Sequence, residues 1–164
     1  MRKILSFLLC TLFCCCLMGC TTADSNSVSF YYSRDPEQYQ YFEEDSVIHS
    51  ELRDLTGHRN DLRYMVGLYL AGPLEEGLIT PFTKSTRLIS VEKEDNEVFI
   101  ELSDHANVLT DAEYSLSCAA LTLTCMNFTH CDAVTIVSGE RSVTMTADSI
   151  LLFDTLPQQE TTGG

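Results

Sequence analysis

Apolar residues recur along this chain in three rhythms, and each predicts a different kind of element. The first is a near-unbroken run, Ile4 to Met18, interrupted only by Ser6 and Thr11. The second is alternation with a period of two, the pattern of a half-buried strand. The third is spacing at i, i+3, i+4, i+7, the stripe of an amphipathic helix. Val28-Ser29-Phe30-Tyr31-Tyr32 predicts a first strand by its β-branched and aromatic content. Ser33 to Asp45 is polar, dotted with aromatics and contains Pro36, so it reads as loop. Val47 to Leu55 predicts a second strand with mixed faces, and Gly57-His58-Arg59 breaks it. Asn60 is then placed to cap a helix, with Asp61 in its first turn. Leu62, Met65, Val66, Tyr69 and Leu70 supply that helix with its stripe, and Gly72-Pro73 stops it. Leu74 to Ser85, with Gly77 and Pro81, reads as a connecting loop.

Arg87 to Lys93 and Glu97 to Ser103 alternate on either side of Asp95-Asn96, which predicts a hairpin. Its inward set is Ile89, Val91, Val98, Ile100 and Leu102; Ser90, Glu92, Glu101 and Ser103 face out. Thr110-Asp111-Ala112-Glu113 is a capping box that opens a second helix, running to about Phe128. Ala112, Leu116, Ala119, Ala120 and Leu123 mark one face of it, and Cys118, Leu121 and Cys125 widen the apolar surface. Ala133 to Val137 predicts a strand, Ser138-Gly139 a turn, and Ser142–Met145 and Ile150–Phe153 returning strands. The order is β, β, α, hairpin, α, β, β. It predicts one small α+β domain, a mainly antiparallel sheet with two helices packed on one face. Residues 28–154 form the domain; 155–164, polar and with a Gly pair, read as a disordered tail.

The N-terminal run changes the picture of where the domain sits. Arg2 and Lys3 precede it, and the polar stretch Thr21 to Ser27 follows. A basic start, a short apolar core and a small residue before the cut are the parts of a secretory signal. The run is shorter than the about 20 apolar residues that span a bilayer. Leu17-Met18-Gly19-Cys20 resembles the lipobox of bacterial lipoproteins. The resemblance implies cleavage after residue 19, acylation of Cys20 through its sulfur, and residues 20–27 as a tether. The chain is then expected at the cell membrane, lipid-anchored, on the extracytoplasmic face.

Charge and cysteine content narrow the partners. The net charge is −14, and removing residues 1–19 takes away Arg2 and Lys3, leaving −16. Such a surface repels phosphate backbones and anionic membranes, so no nucleic acid is expected, and membrane attachment falls to the lipid. Of eight cysteines only Cys118, Cys125 and Cys131 lie beyond the signal and Cys20. An odd number without CxxC spacing fits neither a disulfide scaffold nor a zinc site. Buried structural thiols are the expectation, with no metal and no cofactor.

The middle of the chain resembles the GerMN domain family of sporulation and germination lipoproteins. Leu70-Ala71-Gly72-Pro73 with Glu75-Glu76-Gly77-Leu78 is similar to the family's L-x-G-P-x-x-x-G-L segment. Ser85 to Val91 resembles its first hairpin strand, and Glu97 to Ser103 the partner strand. Leu123 to Phe128 and Val134 to Gly139 are similar to two later segments. The resemblance spans about Phe30 to Val143 and implies a β-α-β-β-α-β fold like that of ring-building motifs. It implies work by protein contact, with no catalytic residues to carry over. Tandem copies are common in the family; this chain holds one.

Other constellations have plainer readings. His105, His130, Cys131 and Asp132 contain the types of a Cys-His-Asp site, but sequence neighbours seldom converge on one centre. Glu43-Glu44-Asp45 and the acidic run 92–97 lack a Ca²⁺-loop pattern and read as solvated turns. Tyr31, Tyr39 and Tyr41 form an aromatic-rich stretch that could serve contact, since Tyr is enriched at interfaces. With Glu92 and Glu101 on the hairpin's outer face, they are the candidate interaction surface. The function expected is that of a non-catalytic interaction module of the envelope, in sporulation, germination or envelope assembly. Its envelope partner is unknown and a homo-oligomer stays open. The alternative is an extracytoplasmic hydrolase or binder of cell-wall glycan that uses surface carboxylates.

Overall fold

A computed structural model describes residues 26–35 and 47–154. The predicted signal, lipobox and tail, residues 20–25 of the predicted tether, and Tyr39 and Tyr41 lie outside the described residues; Ser27, the predicted end of the tether, already belongs to the first strand. Among the described residues seven strands and three α-helices follow one another as β1 (Ser27–Arg34), β2 (Ile48–Asp54), α1 (Leu62–Leu70), β3 (Leu78–Ile79), β4 (Leu88–Glu94) and β5 (Glu97–Leu102). A 3₁₀ turn (Asp104–Val108), α2 (Asp111–Thr129), β6 (Ala133–Ser138), β7 (Arg141–Thr146) and α3 (Ala147–Asp154) complete the order. The class is α+β, as the pattern predicts. The strands divide between two sheets, β2-β1-β3 and β4-β5-β6-β7. Every pairing is antiparallel except β5 with β6. A parallel neighbour needs a long crossover, and α2 is that crossover.

One core joins the layers. Phe30 and Tyr32 of β1, Met65, Val66 and Tyr69 of α1, Tyr114, Cys118, Leu121 and Cys125 of α2, and Val98, Ile100, Val134 and Ile136 of the larger sheet all belong to it. Tyr32 stacks on Tyr69 at 4.8 Å between ring centres, nearly parallel. At nine residues α1 is too short to be stable alone, so its persistence rests on this burial. The two sheets are bridged by α2 through an unusual contact. β3 pairs with β1 only at Ser33 and Arg34, which leaves the rest of that edge without a strand. Asn127 Oδ1 accepts the Ser29 N–H at 3.0 Å and Thr124 Oγ1 accepts the Tyr31 N–H at 2.9 Å. Helix side chains thus close a strand edge that would otherwise stand open.

Several local expectations are corrected. The N-cap of α1 is Asp61, whose Oδ1 accepts the Tyr64 N–H at 2.9 Å, so Asn60 lies outside the helix. The connection after α1 contains β3, a two-residue strand that exists only because β1 is there to pair with it. A bulge between Leu88 and Ser90 lets Leu88 face inward and turns Ile89 out to 51% exposure. The buried face of α2 centres on Tyr114, Ser117, Cys118, Leu121 and Cys125; Ala112 is exposed and Leu116 and Leu123 are half-buried. Residues 150–153 continue a helix and do not return as a strand. Thr146 Oγ1 accepts the Ser149 N–H at 3.3 Å at its start, a capping signal present in the sequence.

Candidate interaction surface

β4 and β5 place their polar side chains on the face turned away from the core. Opposite residues across the hairpin share a face, so the register Glu92↔Phe99, Ser90↔Glu101 and Glu94↔Glu97 puts all six on that side. Asp95 takes φ 50° in the turn, which Asp tolerates better than most residues. The parallel neighbour β6 adds Thr135 opposite Phe99 and Val137 opposite Glu101. β7 adds Thr144, whose hydroxyl is 2.8 Å from that of Thr135. Phe99 is 39% exposed at the centre. The Ser90 hydroxyl donates to Glu101 Oε2 at 3.1 Å and orients it. A shallow hollow of about 220 Å³ lies here, bounded by Ser90, Glu92, Phe99, Glu101, Thr135 and Val137.

Glu92 and Glu101 are therefore brought to one face, with Phe99 opposite Glu92 and two residues before Glu101, an aromatic that the sequence analysis does not single out. Its signal was legible: a bulky apolar residue at an outward position of an alternating strand. Tyr31 is not brought to this face. It lies half-buried on β1 of the smaller sheet, opposite Ser50.

The nucleophile-like sets fall apart geometrically. His130 is the left-handed C-cap of α2, at φ 54° and exposed, while Cys131 beside it is buried. His105 Nδ1 lies 3.2 Å from Ser103 Oγ and 3.6 Å from Asp104 Oδ1. Both neighbours share one ring nitrogen, whereas a relay needs serine and carboxylate on opposite nitrogens. The Ser103 hydroxyl also accepts the Arg87 N–H at 3.0 Å. Cys118, Cys125 and Cys131 are free and buried. Burial pushes the Cys118 thiol up to about 12 and the Cys125 thiol higher still. Neither is a nucleophile at neutral pH. No group of three His, Cys, Asp or Glu side chains among the described residues is placed to hold a metal ion.

A second polar cluster proved structural. Glu51 and Arg53 of β2 form a buried ion pair, and Arg53 lies 5.6 Å from the Phe30 ring centre. Glu51 also accepts the N–H groups of Leu74 at 2.9 Å and Glu75 at 2.8 Å, and Arg53 donates to Gly72 O at 2.8 Å. The pair clamps the turn after α1, the same Gly72-Pro73 segment that carries the resemblance. Gly72 holds φ 100° there, and a Cβ would run into Thr80 Oγ1.

No protein-family model matches the chain, and no curated protein sequence matches it. Solved structures do. The tandem GerMN domains of the sporulation protein GerM from Bacillus subtilis are similar, with TM-score 0.50 and 17% identity over 70% of this chain. The match covers 39% of that two-domain chain. A candidate lipoprotein from Clostridium perfringens gives TM-score 0.49 and 17% identity over 77% of this chain and 90% of its own. The first GerMN domain of the same Bacillus subtilis protein gives 0.47 and 12%, over 71% and 85%. At such identity the likeness speaks for the fold alone, and the tandem pair carries it. The described residues have the fold of a GerMN domain.

Proposed function

We propose that the chain is a lipoprotein, held on the extracytoplasmic face of the membrane by an acylated Cys20, that works by binding other envelope proteins and not by catalysis. The observation that carries this reading is the pairing of Leu17-Met18-Gly19-Cys20 with a GerMN-like fold, one of whose sheet faces is open. No helix among the described residues is long and apolar enough to cross a membrane. The carboxylates that could serve a glycan hydrolase, Glu92 and Glu101, stand on an open sheet and not across a cleft, which favours contact over hydrolysis. The GerM neighbour is a sporulation protein, and sporulation, germination or envelope assembly is the setting proposed here.

The test has two parts. Cys20→Ser is expected to leave the detergent phase or to accumulate as unprocessed precursor; equal partitioning at unchanged mass refutes the anchor. Glu92→Lys/Glu101→Lys is expected to melt normally, since surface changes alter stability by only about 0.5 kcal/mol, and to lose crosslinks to envelope proteins in intact cells. Unchanged crosslinking by the folded variant refutes this face.

A further inference from the structure

The outer face of β4 and β5 carries charge that the fold itself does not answer. Glu94 and Glu97 sit directly opposite each other across the hairpin, and Glu92 and Glu101 share the face. Like charges directly opposite across strands destabilise a sheet. None of the four takes part in an ion pair among the described residues. The cations nearby are committed elsewhere. Lys93, between Glu92 and Glu94 in sequence, points to the other face and donates to Thr129 O at 3.0 Å, at the C-terminal end of α2. Arg87 donates to the carbonyls of Lys84 and Thr86, and Arg63 to Ile89 O. At the centre stands Phe99, an exposed ring with Glu92 beside it and Glu101 two residues along.

Resting on the interaction-module reading above, we propose that this face takes a cationic, extended segment of a partner protein, with one arginine or lysine head seated on Phe99 between Glu92 and Glu101. An aromatic face attracts a cation, and flanking carboxylates receive its N–H groups. The hollow of about 220 Å³ falls below the about 300–1,000 Å³ of small-molecule sites, so it fits one side-chain head. The carboxylates are spread along two strands and do not gather around one point, which favours a linear polycation over a single metal ion. Glu92 and Glu94 repeat at every second residue, about 6.6 Å along the strand. A partner in extended conformation repeats its own alternate side chains at that distance, so cations at every second position meet both. Nucleic acid and anionic lipid are repelled by the same charges.

The test titrates the full-length lipoprotein in nonionic detergent with a fluorescent peptide of alternating arginine and threonine, followed by anisotropy. Glu92→Gln/Glu101→Gln is expected to weaken binding about ten-fold, as loss of central charged contacts does. Glu76→Gln/Glu140→Gln, exposed acids off this face, makes the same change in net charge and is expected to leave affinity within about two-fold. Phe99→Leu, which keeps an apolar floor but removes the ring, is expected to weaken binding several-fold. Thermal melts establish that each variant folds. Equal weakening by both double variants means general attraction to an acidic protein and overturns the inference, as does no weakening by either. If Glu92→Lys/Glu101→Lys loses its cellular crosslinks while peptide binding ignores Glu92 and Glu101, the face is an interface with a non-cationic partner. The inference then falls and the interaction module stands. If both assays are indifferent, the inference and this face as the interaction surface fall together.

Discussion

Glu51→Gln removes one charge from a pair that the fold has taken out of water. The side chains of Glu51 and Arg53 are 6% and 7% exposed, so solvent screens them little. Glutamine keeps the volume and can accept one of the Leu74 and Glu75 N–H bonds, but Arg53 retains only Gly72 O as a named acceptor. Breaking a buried pair by losing one partner costs about 3–5 kcal/mol, because the remaining charge is buried uncompensated. Against a total of about 5–15 kcal/mol for a domain, that is a large share. At about 3–4 °C per kcal/mol for a domain of this size, the melting temperature is expected to drop by about 10 °C or more. Urea unfolding should show a lower midpoint at unchanged slope. The companion variant is Glu51→Gln/Arg53→Met. Removing the orphaned charge is expected to restore part of the loss, giving a coupling of more than about 1 kcal/mol. Native-state amide exchange should speed at one or both of Leu74 and Glu75 in both variants, because the glutamine amide oxygen can replace the carboxylate for only one of the two N–H groups. A single variant costing less than about 1 kcal/mol, or a double variant whose cost is the sum of its singles, refutes the clamp.

Two further expectations follow from burial and capping. Thiol reagents at pH 8 should label Cys118 and Cys125 slowly in the folded protein and fast in denaturant, because burial holds both thiols protonated; Cys131→Val should be tolerated as a swap of small apolar groups. Rapid native labelling of all three would contradict their placement. The Glu113 carboxyl, which accepts the Thr110 N–H at 2.8 Å and its hydroxyl at 2.8 Å, is held below its ordinary 4.5 by those two bonds. A carboxylate lowered in the folded state stabilises above its unfolded value and stops doing so as pH falls through its folded one. Stability of the wild type should therefore decline more steeply than that of Glu113→Ala as pH falls below 4.5, and parallel curves in acid melts would refute the linkage.

Elements whose cause is local were legible in the sequence. The capping box Thr110–Glu113, the stripe Met65, Val66 and Tyr69, the alternation of Val98, Ile100 and Leu102, and the Gly72-Pro73 stop all act within a few residues of themselves. The resemblance to GerMN domains rests on the motif segments Leu70–Leu78, Ser85–Val91, Glu97–Ser103, Leu123–Phe128 and Val134–Gly139 in that order. What the sequence could not supply was pairing between distant segments. β3 is a strand only because Ser33 and Arg34 of β1 pair with it, and the division into two sheets follows from where α2 lies, closing the edge of β1 with Thr124 and Asn127. A one-residue bulge reversed Ile89, since the side-chain period of a strand is two and any slip exchanges its faces. The candidate surface divides the same way. Alternation alone turned Glu92 and Glu101 outward, while the register of β4, β5 and β6 brought Phe99, Thr135 and Val137 to the same hollow. The partnership of Glu51 and Arg53 with residues 72–75 required the packing of β2 against the turn after α1. Composition and spacing carry no term for a contact made across more than twenty residues of chain.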